Sequence, residues 1–339
     1  MSSGKDLPVM SLPLLPEVDG VVEIPAQPAV KNEPRTVKVY VRYPRRQLSQ
    51  VGAETGLMLS LHNWGGTAFV GAPQPEKLAD PFNLVVVGVD YYQSGDLNKQ
   101  QPYDFGYYQA MDALRGLYHV YQGLVARGMN FDRTRIYGAG GSGGGYTIQM
   151  ARKFAPCTFA CIVDHSGMAS LTDDMAFNLP GGSRLNARYS QESGSPASLS
   201  KGMQEIRDLG NAEHLALNAK AGGTCKVVVI HGEDDTSCLV DDKKRVVNAM
   251  KASGMDVEPH YISKQDIDGK LVKESGHAIG DRTELLRFFA GKYLDPSSGE
   301  MRRLSGPVDF EQKTVREFPT SDGVVKVSYD KGFPEISCR

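Results

Sequence analysis

Apolar and polar residues change their rhythm several times along this chain, and the changes mark its elements. Thr36-Val-Lys-Val-Tyr-Val-Arg-Tyr43 alternates strictly, which predicts a half-exposed antiparallel strand, with a shorter β-rich piece at Val21–Ile24 before it. Gly56–Leu61 and Leu84–Asp90 are almost continuously apolar, as strands covered on both faces are. From Asp104 to Arg127 the apolar positions recur at helical spacing (Ala110, Leu114, Leu117, Tyr121, Leu124), and Gly128 supplies a stop. A strand to Tyr137, a helix over about 144–154, strands at Phe159–Asp164, Lys226–Ile230 and Val257–Ile262, and a helix over 282–293 complete the series. Strands alternating with helices predict an α/β domain with a mostly parallel sheet flanked by helices.

Residues 169–222 break the rhythm. Gly181-Gly-Ser183, Ser193-Gly-Ser-Pro196 and a polar helical stretch near Met203–Leu217 read as an insertion placed to act as a lid. Beyond Pro296, Thr314–Phe318 and Val324–Tyr329 flank Pro319 and Ser321-Asp-Gly323, which predicts a short C-terminal β-hairpin extension. The expected organisation is an N-terminal arm with a strand (1–35), a catalytic domain (36–295, insertion about 169–222) and a β-rich extension (296–339).

Composition narrows the function. The 339 residues carry 38 basic and 40 acidic side chains, a net charge of −2, so no global field attracts nucleic acid or an anionic membrane. No apolar run reaches the roughly 20 residues of a membrane span, and Pro8, Pro13 and Pro16 interrupt the N-terminal stretch, which argues against a secretory signal. Five sparse cysteines, with Cys157 and Cys161 expected to face a core, suit a reducing cytoplasm. A small-molecule partner is expected, with no cofactor and no metal; the oligomeric state is left open.

The candidate chemistry lies in Arg135-Ile-Tyr-Gly-Ala-Gly-Gly-Ser-Gly-Gly-Gly-Tyr146, where a strand gives way to glycines and one serine. Gly140-Gly141-Ser142-Gly143-Gly144 has the Gly-X-Ser-X-Gly spacing of a nucleophile elbow. The same stretch, Gly138-Ala-Gly-Gly-Ser-Gly143, fits GxGxxG, with Asp164 about 20 residues on, the spacing of a dinucleotide-binding loop. The two readings demand different partners. A serine needs a histidine to take its proton and a carboxylate to orient that histidine. His231-Gly-Glu-Asp-Asp235 follows one predicted strand, and Gly276-His277 follows the last.

With these motifs the chain resembles the α/β-hydrolase superfamily, in the style of esterases and prolyl-oligopeptidase-like hydrolases, over roughly residues 36–293. The resemblance implies Ser142, Asp235 and His277 as the triad, in the Ser-Asp-His order of that fold, with Asp234 as the neighbouring alternative to Asp235. It also implies an oxyanion hole from the amide of Gly143 and one from Leu61-His-Asn-Trp-Gly-Gly66, assigned to Trp64 with Asn63 as alternative. His62 and His231 are expected to brace loops, and Tyr91, Tyr92 and His165, each just past a strand, are candidates to line the cleft. The function this points to is carboxylesterase-type hydrolysis of a small-molecule ester, acetylated or feruloylated carbohydrates among them. Esters rank ahead of peptides on the expectation that no propeller-sized domain covers the cleft. A peptidase, a non-catalytic hydrolase-fold binding protein and an NAD-binding Rossmann protein are the alternatives.

Overall fold

The computed structural model describes residues 12–29, 33–96, 101–330 and 332–338, so Pro8 and the rest of the expected arm before residue 12 lie outside the described residues. In chain order the elements are β1 (Gly20–Pro25), β2 (Thr36–Arg42), β3 (Gly56–Leu61), α1 (Ala79–Phe82), β4 (Leu84–Val89), α2 (Tyr107–Ala126), β5 (Ile136–Gly141), α3 (Gly143–Phe154), β6 (Cys161–His165) and α4 (Asp173–Phe177). They continue as α5 (Lys201–Glu205), α6 (Ala212–Lys220), β7 (Lys226–Gly232), α7 (Val240–Ala252), β8 (Val257–Ile262), α8 (Arg282–Leu294), α9 (Asp309–Gln312), β9 (Val315–Thr320), β10 (Gly323–Ser328) and β11 (Glu335–Cys338).

The main sheet has eight strands in the order β1-β2-β4-β3-β5-β6-β7-β8. β1, β2 and β4 pair antiparallel, and from β4 to β8 every pairing is parallel. The alternating β2 turns Val37, Val39 and Val41 inward, while β3, β4, β5, β6 and β7 are buried along their whole length, as their unbroken apolar runs require. Successive residues of β5 look at opposite layers, Gly140 at α3 and Gly141 at Arg282 of α8, so helices cover both faces. This is the α/β-hydrolase fold.

Three local results differ from the sequence pattern. The polar stretch near 203–217 is two helices, because Asn211 caps a new start at α6 by accepting from the His214 amide. Helix α7 hides its period behind Asp241-Asp-Lys-Lys-Arg245: its buried side comprises Val246, Val247, Met250 and the charged Lys243. The C-terminal hairpin gains β11 and forms its own three-stranded sheet, β11-β10-β9. That sheet is pinned to the rest by Tyr329, whose hydroxyl donates to the Phe154 carbonyl at 2.8 Å, and by Gln27, whose side chain bonds both the amide and the carbonyl of Ile336.

Candidate active site

At the carboxyl end of β5 the chain must turn into α3 within one residue, and Ser142 takes that turn at φ 56°, ψ −119°. A non-glycine residue held at positive φ costs on the order of 1–3 kcal/mol. The surroundings hold it there: the Ser142 amide donates to the His165 carbonyl at 2.8 Å, and its own carbonyl starts α3 by accepting from Tyr146 at 3.0 Å. Gly141 leaves room for a close approach, since a Cβ there would fall 2.3 Å from the Arg282 guanidinium. Arg282 in turn donates to the Gly71 carbonyl, so it ties the elbow to the loop after β3.

The other two strand-end motifs converge on this serine. His277 Nε2 lies 2.9 Å from Ser142 Oγ, and His277 Nδ1 lies 2.7 Å from Asp235 Oδ2. With its proton on Nδ1, the ring donates to Asp235 and accepts from the serine hydroxyl. Asp235 is fixed from behind, its Oδ1 accepting from the amides of Ser237 at 2.8 Å and Cys238 at 2.9 Å. Burial opposes the charge on this carboxylate, but the hydrogen bond and charge of His277, with the Cys238 amide, outweigh it and hold Asp235 below the usual carboxylate range. Asp234 takes a different path: its Oδ2 accepts from the Ser275 hydroxyl at 2.6 Å, bracing the histidine loop.

Gly143 and Trp64 meet beside the serine. Gly143 begins α3, where an amide has no intrahelical partner. A Cβ on Gly143 would fall 2.7 Å from the Trp64 amide nitrogen, so the two residues meet across a gap that only a glycine leaves open. Among the described residues the Trp64 amide has no hydrogen-bond partner, whereas the Asn63 amide already donates to the Val70 carbonyl at 3.0 Å. Of the two amides, the one on Trp64 is therefore the free one.

The residues expected to line the cleft divide. Tyr91 is buried, stacks on His62 with ring centroids 3.9 Å apart and donates its hydroxyl to the His62 carbonyl, so it braces a loop rather than facing a substrate. His165 is buried beside Arg282, with neither ring nitrogen hydrogen-bonded among the described residues, and burial together with that guanidinium pushes it down to about 3. Tyr92 lines a cavity beneath the insertion that includes neither Ser142 nor His277. His62 bonds the Asn63 carbonyl and Ser94, and His231 bonds the Cys238 carbonyl; burial pushes each down to about 4. Asp164, the acid of the dinucleotide motif, is fully buried against Lys243 Nζ at 2.6 Å and the Gly167 amide, where no ribose could reach it.

One group could in principle coordinate a cation: ligand atoms of Asp235, Cys238 and His277 lie within 4.8 Å of one another. Both Asp235 oxygens already accept hydrogen bonds, and burial pushes the Cys238 thiol well up, away from the thiolate that a metal takes. The donor set therefore fits a hydrogen-bonded chain better than a coordination shell. Among the described residues no helix is long and apolar enough to cross a membrane.

A family model described as "Protein of unknown function (DUF2920)" matches residues 97–290, more than half of the chain. No curated protein matches the sequence. Solved structures do match in fold. Pyrococcus horikoshii acylaminoacyl peptidase superposes with a TM-score of 0.55 at 13% identity, over 80% of this chain and 40% of that one. A Mycobacterium tuberculosis puromycin-hydrolyzing peptidase gives 0.51 at 16%, over 83% and 40%, and a puromycin hydrolase gives 0.52 at 16%, over 82% and 38%. The chain thus spans about 40% of the length of these proteins.

Proposed function

The chain belongs to the DUF2920 family, and we propose that within it this protein is a serine hydrolase of carboxylesterase type. The observation that carries the proposal is the continuous hydrogen-bond chain Ser142–His277–Asp235, with links of 2.9 and 2.7 Å. His277 Nε2 takes the hydroxyl proton as Ser142 Oγ attacks the ester carbonyl, and Asp235 stabilises the imidazolium that forms. The oxyanion draws on the amides of Gly143 and Trp64, preorganised donors of a kind worth about 3–4 kcal/mol each. Collapse returns the proton from His277 to the departing alcohol; water then repeats the sequence on the acyl-enzyme and releases the acid. Strain at Ser142, whose backbone is already bent for this turn, supports the nucleophile role independently of the hydrogen bonds.

An ester asks least of this set, because its carbonyl is more electrophilic than an amide's and its alkoxide needs only the proton His277 carries. A second reading, peptide or amide hydrolysis, is favoured by the names of the fold neighbours, which are peptidases and a puromycin hydrolase. A short acyl ester and its matched anilide, assayed with wild type and Ser142→Ala, test both. Ester turnover abolished by Ser142→Ala is the expected result. Turnover that survives the substitution overturns the mechanism, and a larger kcat/KM on the anilide replaces the ester reading with the amide one.

A further inference from the structure

Beneath the insertion lies a cavity of about 540 Å³. One wall comes from Tyr92 and Asp104 after β4 and Tyr108 of α2; the other comes from the insertion, with Tyr189, Leu199, Met203 and Arg207. Such a lining, mostly carbon with a few polar atoms, and such a size are those of small-molecule sites. Ser142, His277 and Trp64 do not contribute to it. Aromatic rings pack beside both places. Trp64 stacks on Tyr103 with centroids 3.7 Å apart, and Phe105 packs on Tyr146 at 4.7 Å; Tyr103, Phe105 and Tyr146 are buried. Asp104 sits in sequence between two of these rings and turns to the cavity side.

Arg207 supplies the signal for a ligand. Its side chain is 4% exposed. Nε donates to the Asp104 carbonyl and Nη1 to the Met203 carbonyl, both at 2.8 Å. Among the described residues no hydrogen bond reaches Nη2; it forms an ion pair with the Asp104 carboxylate at 3.7 Å, which is longer than a hydrogen bond. Nη2 is not one of the sealed, unpartnered atoms of the core, so it stays open to an acceptor entering the cavity. Asp104 and Arg207 are the charged residues of the lining and are of opposite sign, so the cavity as a whole selects against neither charge and favours a neutral guest. Three tyrosines offer ring faces and edges to an aromatic one.

We propose that this cavity is a second ligand site, separate from the serine centre, which takes a neutral aryl compound whose carbonyl oxygen accepts from Arg207 Nη2. The site stands apart from the hydrolase reading, because its ligand neither reaches Ser142 nor depends on turnover. The aromatic layer is shared: its Trp64 end carries an amide beside Gly143, and its Tyr146 end donates a hydroxyl to the Arg207 carbonyl.

The probe is 2-naphthamide, titrated calorimetrically into the full chain. One-to-one binding is expected, with the same affinity in Ser142→Ala and after Ser142 is blocked by an alkyl fluorophosphonate. Ala197→Trp, which fills the cavity from a half-buried loop position, weakens it at least tenfold. Naphthalene, which lacks the acceptor, binds at least fivefold more weakly than the amide. Arg207→Leu removes the donor itself; since Arg207 also holds two carbonyls, Ala197→Trp carries the test if that variant fails to fold. Absence of binding, or affinity unchanged in Ala197→Trp, overturns the site. Binding lost on blocking Ser142 places the probe in the serine cleft and overturns its separateness, and equal binding of naphthalene overturns the Arg207 contact.

Discussion

His277 reaches Asp235 across 42 residues of sequence, and its Nδ1 lies 2.7 Å from a carboxylate whose other oxygen is held by two backbone amides. The neighbouring Asp234, 48% exposed, bonds Ser275 instead. The two acids are therefore separable by substitution. Asp235→Asn is expected to lower kcat by about 10⁴-fold, because an amide favours the wrong histidine tautomer. Asp234→Asn should stay within about tenfold, as a loop-bracing bond worth about 1 kcal/mol is lost. Steady-state kinetics on an acyl ester check this, and equal losses would reassign the acid.

A methyl group on Gly143 would enter the gap opposite the Trp64 amide, 2.7 Å from its nitrogen. Gly143→Ala should cut kcat by roughly 10²–10³-fold while KM moves little, since the donors it disturbs act on the oxyanion rather than on bound substrate. A comparable rise in KM with kcat intact would show that the gap binds ground-state substrate.

Arg282 and Gly141 are mutually dependent. Gly141→Ala alone collides with the guanidinium at 2.3 Å and should destabilise the fold by about 1–3 kcal/mol, as overpacking does. In the Arg282→Ala background the same change should cost less. A double-mutant cycle by urea unfolding would read a coupling of about 0.5–3 kcal/mol; strict additivity would mean that the elbow relaxes elsewhere.

His165 is pushed down to about 3 by burial and by Arg282, so it is neutral in the folded chain at pH values where the unfolded chain takes up a proton. The folded value lies below the unfolded one. The neutral ring therefore favours the fold above about pH 6.5 and loses that advantage as pH falls from there toward 3. His165→Leu removes two buried nitrogens without partners as well as this proton uptake, and should flatten the fall in urea midpoint between pH 6.5 and 4 by about one proton's worth of slope. An unchanged slope would show the ring to be protonated in the fold.

The parallel strands and the three strand-end motifs were legible because each depends on local pattern: unbroken apolar runs, glycine at a tight turn, an acid or histidine just past a strand. What the pattern could not choose depended on partners distant in sequence. The choice between the Asn63 and Trp64 amides turns on one bond to Val70. Tyr91 lies past the end of β4, as read, and His165 is the last residue of β6 rather than past it; both are buried in packing. Lys243 breaks the period of α7 because an ammonium occupies a core position, offset by the buried Asp164 2.6 Å away. Arg282 carries no motif; only the missing side chain at Gly141, which could equally serve a turn, hints at something packed above it.

Gln27 and Ile336 are 309 residues apart, yet the glutamine side chain completes the backbone bonding of β11 while the Gln27 backbone amide donates to Asp112 of α2. During synthesis this clasp has no partner until Ile336 has been made. The entropy of closing so long a loop is modest, since each doubling of length adds only about 0.6 kcal/mol, but the delay is not: contacts of such high sequence separation form late. The arm should therefore lock late, and its protease sensitivity during translation would report when β11 has emerged and paired.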